Sequence, residues 1–400
     1  MGYQRPIFYK MLTRVREPRR FIQVIAGPRQ VGKTTIAIAL RDSLDGLVEY
    51  HSADDSTGYS AFWIDQIWDS LRARMKLEQI PGAVLILDEI QKITDWSATV
   101  KKHWDSDTGN KHDIKLVLLG SSRLLLMDGL SESLMGRYEL SYAGHWGLAE
   151  METAFGFSPE QYQWFGGYPG AAEFVTDETR FKEYIRTSIV EPTMIRDILL
   201  TTKIDKPALL RQLFDVGVEY STQIVSFNKM LGQLQDAGNT TTLSKYLRLL
   251  GQAGLLSGLN KYSGRAIDTK GTIPKFIVHN TALFSALKRS TFEDAFSNPA
   301  QWGHIVENSV GAYLVEQAHK NPNASLYYWR ENGFEIDYVI AYRDQIVGIE
   351  VKSGDANIPE VALSRFRDRF PKSKVALVGK HGIPYEVFMR AELSDLISAM

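Results

Sequence analysis

Two stretches of this chain carry residue types at spacings that do chemistry. The first, Gly27-Pro28-Arg29-Gln30-Val31-Gly32-Lys33-Thr34-Thr35, satisfies G-x-x-x-x-G-K-[ST]. Its glycines let backbone N–H groups converge on phosphate oxygens, and a helix starting there adds a favourable dipole. Lys33 supplies a point charge for the β- and γ-phosphates, and the Thr34 hydroxyl suits Mg²⁺. Downstream, "LILDEI" places Asp88 and Glu89 at the end of an apolar run. Buried carboxylates are costly unless they hold a cation or a proton. Asp88 is expected to hold Mg²⁺ through water, and Glu89 to polarise an attacking water. Together these residues point to hydrolysis of a nucleoside triphosphate, with ATP the expected nucleotide.

Two further positions extend that site. Ser121 and Ser122 in "LLGSSRLLL" follow a third apolar run, where a hydroxyl senses the γ-phosphate or merely makes a turn. Arg137, after a glycine in "SESLMGRYEL", is a candidate to stabilise charge on the transferred phosphoryl group in trans. A surface salt bridge is the commoner fate of a single arginine.

The second stretch is "IEVKSG". Strand alternation puts Glu350 and Lys352 on one face, with Val351 opposite. Asp337, in "FEIDYVI", precedes them by one strand and a turn, so a hairpin brings it beside Glu350. Glu307, on the helical "HIVENSVGAYL", adds a further carboxylate. Glu307, Asp337 and Glu350 are candidate ligands for Mg²⁺ or Mn²⁺, and Lys352 would orient the metal-bound water or neutralise a phosphate. Glu and Lys on strand surfaces also occur as plain cross-strand pairs.

The elements around these residues follow from pattern. "FIQVIA", "AVLILDE" and "KLVLLGSS" are short buried strands separated by helical text, which argues for a parallel sheet with helices on both faces. From about residue 150 the strand signal stops and helices dominate. "ASLYYWRENGFEIDYVIAYRDQIVGIEVKSG" alternates apolar and polar residues, with turns at "ENG" and "RDQ", as a strand meander does.

Length and composition bound the rest. At 400 residues the chain needs roughly two to four domains. Its net charge of −1 gives no global signature for nucleic acid, so any polyanion site must be local. The chain has no cysteine, which excludes disulfides, thiolate zinc sites and a cysteine nucleophile. No His cluster has zinc-ligand spacing and no Gly-x-Ser-x-Gly elbow is present. The N-terminal residues lack the apolar stretch of a signal peptide, and the apolar runs are too short to span a bilayer. A cytoplasmic, non-membrane protein is expected.

In combination, "RRFIQVIAGPRQVGKTT", "LILDEIQKITDW", "VLLGSSRLLL", "SESLMGRYELSY" and "GGYPGA" resemble a widespread group of prokaryotic AAA+-type ATPases. These carry a winged-helix segment and a C-terminal domain similar to PD-(D/E)xK nucleases. The resemblance covers nearly the whole chain. It implies an α/β fold with an AAA+-type P-loop core over 1–150, a helical lid over 151–206, a winged helix-turn-helix over 207–265 and a nuclease-like domain over 266–400. It also implies self-association into a ring, a hexamer included. Glu307, Asp337, Glu350 and Lys352 fill the expected nuclease positions, and Trp329 and Glu335 match the pattern without an assigned role.

"TTTLSKYLRLLGQAGLLSGLNKYSG" resembles the winged segment. Leu243, Leu247 and Leu250 fall on one helix face, leaving Thr240, Thr241, Ser244, Lys245 and Arg248 outward. Lys245 and Arg248 are candidate DNA contacts, with Lys261 and Arg265 in the wing. Such modules also serve as spacers.

Two functional readings follow. In the first, ATP hydrolysis drives translocation along DNA, or its remodelling, while the C-terminal site grips or cuts it. In the second, the protein is a nucleotide-gated switch whose C-terminal domain binds DNA or a protein without cleaving.

Overall fold

A computed structural model describes residues 2–54, 60–121, 130, 133–199, 202, 204–235, 238–264, 272–354 and 359–400. The chain divides into two compact units, Met1–Gly144 and His145–Met400. Among the described residues, no helix is long and apolar enough to cross a membrane.

In the first unit, helix α1 (Pro6–Arg16) precedes β1 (Ile22–Ala26), α2 (Lys33–Ser43), β2 (Leu47–Ser52), α3 (Ala61–Leu77), β3 (Gly82–Asp88), α4 (Trp96–Asn110), β4 (Asp113–Gly120) and β5 (Tyr138–Tyr142). The five strands form one sheet in the order β2-β3-β4-β1-β5. Every pairing in it is parallel. Strand alternation splits the apolar residues between two cores. Val24, Leu85, Leu87 and Leu118 pack against Ile64, Trp68 and Trp104 of α3 and α4. Ile25, Ile86, Val117 and Leu119 pack against Phe8, Met11, Ile36 and Leu40 of α1 and α2. Burial on both faces is why β1, β3 and β4 read as continuous apolar runs. Strands β2 and β5 read differently, because "LVEYHS" and "YELSY" are only partly buried at the sheet edges.

The second unit opens with helices α5 (Leu148–Phe155), α6 (Pro159–Phe165) and α7 (Glu178–Tyr184), the last continuing into π-helical turns over Ile185–Val190 and Thr193–Leu199. Three helices follow: α8 (Pro207–Glu219), α9 (Phe227–Leu231) and α10 (Thr240–Gln252). The antiparallel pair β6 (Leu256–Lys261) and β7 (Lys275–Val278) comes next. After two short helices, α11 (Thr281–Ser285) and α12 (Phe292–Phe296), the long α13 (Pro299–Lys320) leads into β8 (Ala324–Glu331), β9 (Phe334–Tyr342) and β10 (Gln345–Lys352). Then come α14 (Glu360–Arg369), β11 (Lys374–Gly379), α15 (Tyr385–Arg390) and α16 (Leu393–Ala399).

The expected meander is present as β8-β9-β10, antiparallel throughout. Asn332 and Gly333 both take positive φ at the first turn, as a two-residue hairpin loop with right-handed strand twist requires. β11 adds in parallel to β10. At the other edge β6 pairs in parallel with β8 through Asn260–Tyr327 and Lys261–Tyr328. One six-stranded sheet, β11-β10-β9-β8-β6-β7, therefore runs from the hairpin after α10 into the C-terminal strands. The expected 265/266 boundary falls inside that hairpin.

Candidate functional site

The phosphate loop sits between the end of β1 and the start of α2, where the pattern places it. Gln30 and Gly32 take positive φ, turning the backbone so that α2 begins at Lys33. Gly27 must be glycine, because a Cβ there would run into the carbonyl of Ala143. The Lys33 ammonium is buried and donates to the carbonyls of Gly27 at 3.0 Å and Pro28 at 2.6 Å. Both acceptors are neutral, and a phosphate oxygen is a stronger partner for the same ammonium. Arg5 braces the loop, donating to Val31 O at 3.0 Å and Gly144 O at 3.1 Å.

Sheet register brings the remaining groups to the same edge. Ala26 is level with Gly120 of β4, so Ser121 follows beside the loop. Thr34 donates its hydroxyl to Asp88 Oδ2 at 2.7 Å, and the Tyr50 hydroxyl donates to the same oxygen at 3.0 Å. Asp88 Oδ1 accepts the Glu89 N–H at 2.8 Å. A hydroxyl and a carboxylate converging here are hard oxygen donors that suit Mg²⁺. Glu89 has φ +52, a left-handed conformation that turns its carboxylate out of the strand. Its Oε2 accepts from Ser121 Oγ at 2.9 Å and Gln91 Nε2 at 2.6 Å. Tyr50, Gln91 and Arg5 were not legible as site residues. All three lie outside the motif: Tyr50 comes in on β2, Arg5 from just before α1, and Gln91 from the turn that follows Glu89. Ser122 lies outside the described residues.

Arg137 is not brought to this chain's own phosphate loop. It precedes Tyr138, which is level with Ile22, so it lies at the other end of β1 from Gly27. It is partly exposed and forms a two-point pair with Asp105 at 2.8 and 3.1 Å.

In the second unit, Leu243, Leu247 and Leu250 of α10 are buried, while Thr240, Thr241, Ser244, Lys245 and Arg248 are exposed. Asn239 caps the helix by accepting the Thr242 N–H at 2.8 Å. Lys261 is half-buried in β6. Arg265 lies outside the described residues.

The carboxylates of the second motif gather on β9, β10 and α13. Asp337 Oδ2 accepts the Val351 N–H at 2.9 Å, locking β9 to β10 beside Glu350. Lys352 pairs with Glu350 at 2.7 Å. A residue the sequence did not single out joins them. Lys275 of β7, 1% exposed, places its ammonium 2.9 Å from Glu307, 3.2 Å from Glu335 and 3.3 Å from Asp337. Trp329 instead belongs to the core, edge-on to Phe366.

Among the described residues, four carboxyl groups thus face two ammoniums, a formal surplus of two negative charges when all four are ionised. Burial, then the charge of Asp337, pushes both Glu307 and Glu350 well above the ordinary carboxyl range. Glu350 Oε2 is buried and has no hydrogen-bond partner among the described residues. A divalent cation bound by oxygen fits both the surplus charge and the open oxygen.

A family model described as an AAA domain matches residues 19–150. Two further models, each described as a domain of unknown function, match residues 157–294 and 302–387. No curated protein matches the chain. Among solved structures, the chain is similar to the Thermotoga maritima RuvB Holliday junction branch migration motor, at 20% identity over 64% of this chain and 89% of that one, with a TM-score of 0.34. Two point variants of that motor align at 17% and 20% identity, each over 63% of this chain and 85% of that one, with a TM-score of 0.31. The AAA match and the loop geometry define the N-terminal unit as an AAA-type P-loop ATPase domain, a class that takes ATP with Mg²⁺.

Proposed function

We propose that this protein hydrolyses ATP to drive work on DNA, and that its C-terminal sheet is a PD-(D/E)xK-like domain acting on the same DNA. The observation that carries the ATPase half is the arrangement of Glu89. Its carboxylate is held by Ser121 and Gln91, one residue after the Asp88–Thr34 pair and beside the phosphate loop. In this reading Gly27 to Thr35 cradle the phosphates, Asp88 and Thr34 hold Mg²⁺, Glu89 aligns the attacking water and Ser121 reports on the γ-phosphate. Arg137 acts on a neighbouring subunit's nucleotide, which its distance from the chain's own loop favours.

The three helices α8–α10 with the β6–β7 hairpin have the element order of a winged helix, and the exposed polar face of α10 suits a groove of DNA. The order α13-β8-β9-β10-α14-β11, with Glu307, Asp337, Glu350 and Lys352 on it, supports the nuclease-like reading. Glu307, Asp337 and Glu350 would hold Mg²⁺ or Mn²⁺, which supplies an activated water, and Lys352 would face the phosphate.

The test is cleavage of linear, branched and single-stranded DNA with Mg²⁺ or Mn²⁺, with and without ATP. Cutting is expected in the unmodified protein and lost in Asp337→Ala and Glu350→Ala, while ATP hydrolysis survives in both.

One observation favours the second reading, a nucleotide-gated switch that binds without cutting. Lys275 already gives three of the four carboxylates a cation. Under that reading no DNA is cut with either metal, yet DNA or partner affinity still changes with bound nucleotide.

A further inference from the structure

On the second unit, away from the carboxylates around Lys275, two histidines and a glutamate meet. His279 follows β7, and Glu316 and His319 lie three residues apart on one face of α13. One ligand-capable atom from each lies within 4.8 Å of the others. His279 and Glu316 are buried and His319 is half-buried.

The surroundings are those of a positioned ligand set. The His279 backbone N–H donates to Leu255 O at 3.1 Å, which fixes the residue at the end of the sheet. One ring nitrogen, Nε2, lies 2.7 Å from Ser257 Oγ. With Nε2–H donating to the Ser257 oxygen, the ring is oriented and Nδ1 keeps its lone pair for a metal, the usual partnership around metal-bound histidine. The His279 and His319 ring centroids are 5.5 Å apart at 51°, tilted rather than stacked. Beside His279 and Glu316 is a cavity of about 10 Å³, also lined by Tyr162 and Ser309. That is room for about one water molecule. The nearby His145 is engaged at both nitrogens, with Gly254 O at 3.1 Å and the Asn280 amide at 3.2 Å, and is not a donor.

We propose that His279, Glu316 and His319 form a transition-metal site of the Zn²⁺ class, with a water in the adjoining cavity as fourth ligand. Two imidazoles and one carboxylate are a zinc donor set, and imidazole disfavours Mg²⁺ and Ca²⁺. Zinc bond lengths of about 2.0–2.2 Å need the three atoms to close by roughly an ångström, which side-chain rotation supplies. The ion would tie α13 to the β7–α11 junction. Lys275 and Glu307 stand on the same two elements, so the metal would also steady the frame of the carboxylate cluster.

The full-length protein, stripped with chelator and titrated with Zn²⁺ alone, tests this. One equivalent is expected to bind and to raise the thermal midpoint. Co²⁺ in its place should give the visible absorption of a tetrahedral site. His319→Gln, a half-buried and conservative change, should weaken Zn²⁺ affinity by about 100-fold or more while ATPase activity is retained. Glu316→Gln should do likewise, so a failure of either variant to fold leaves the other to decide. Glu350→Gln, in the carboxylate cluster, should leave Zn²⁺ binding intact. Zn²⁺ binding that survives both His319→Gln and Glu316→Gln, or that Glu350→Gln removes, overturns the proposal. Stoichiometry well below one in the unmodified protein overturns it equally.

Discussion

Glu89 carries a prediction specific to turnover. Its carboxylate is already aimed, at the cost of a left-handed backbone and with two hydrogen bonds to hold it. Glu89→Gln keeps the shape and removes the charge that polarises water. Nucleotide binding should persist while turnover falls by about 10²-fold or more, read by binding titration alongside phosphate release. Lys33→Ala should instead lose the binding itself, since no other ammonium among the described residues is placed on the loop. Equal turnover in Glu89→Gln and the unmodified protein would remove its role. At this scale the motif residues were legible because they are contiguous. Tyr50 and Lys275 were not, because each reaches its carboxylate only in the folded sheet, and Gln91 was not, because it lies outside the motif although only two residues from Glu89. The histidines followed the same rule. A search for local zinc spacing cannot find His279, which lies far from Glu316 and His319 in sequence and next to them in the fold.

At the scale of elements, the loop depends on how closely β1 approaches the end of β5. Gly27→Ala drives a methyl into the Ala143 carbonyl. Overpacking of this kind costs about 1–3 kcal/mol. The thermal midpoint should drop and nucleotide binding should weaken with it, and an unchanged midpoint would mean the loop relaxes freely. Helix α10 makes a separate prediction. Reversing charge at Lys245 and Arg248, both exposed, should weaken DNA binding and flatten its salt dependence, because fewer counterions are released. An unchanged affinity and slope would make α10 a spacer.

The element reading succeeded where burial is one-sided or complete. β1, β3 and β4 are buried on both faces, and the meander is marked by its two turns, although β9 and β10 carry consecutive buried residues rather than a strict alternation. It missed β2 and β5, whose edge positions allow polar residues, the four-residue β7, which is too short to show a period, and β11.

For the whole molecule, the sequence suggested four segments and the fold shows two compact units. Within the second unit β6 pairs in parallel with β8 over two residues, a contact that no local pattern announces. Assembly is the prediction that belongs to this scale. Arg137 lies at the other end of β1 from the phosphate loop, so the proposed role in trans predicts that activity requires a neighbour. Mixing Arg137→Ala with Lys33→Ala protein should partly restore ATP hydrolysis, because one interface type regains both groups. Full activity in a strictly monomeric protein would rule this out.

The central claim is that ATP hydrolysis at the phosphate loop is coupled to DNA. Its most direct test is the steady-state ATPase rate of the full-length protein with Mg²⁺, measured with and without single-stranded, duplex and branched DNA, beside Glu89→Gln under the same conditions. The account predicts a basal rate that at least one DNA raises severalfold, and no stimulation in Glu89→Gln. A rate that no DNA changes, in a protein whose DNA affinity is indifferent to nucleotide, would contradict it.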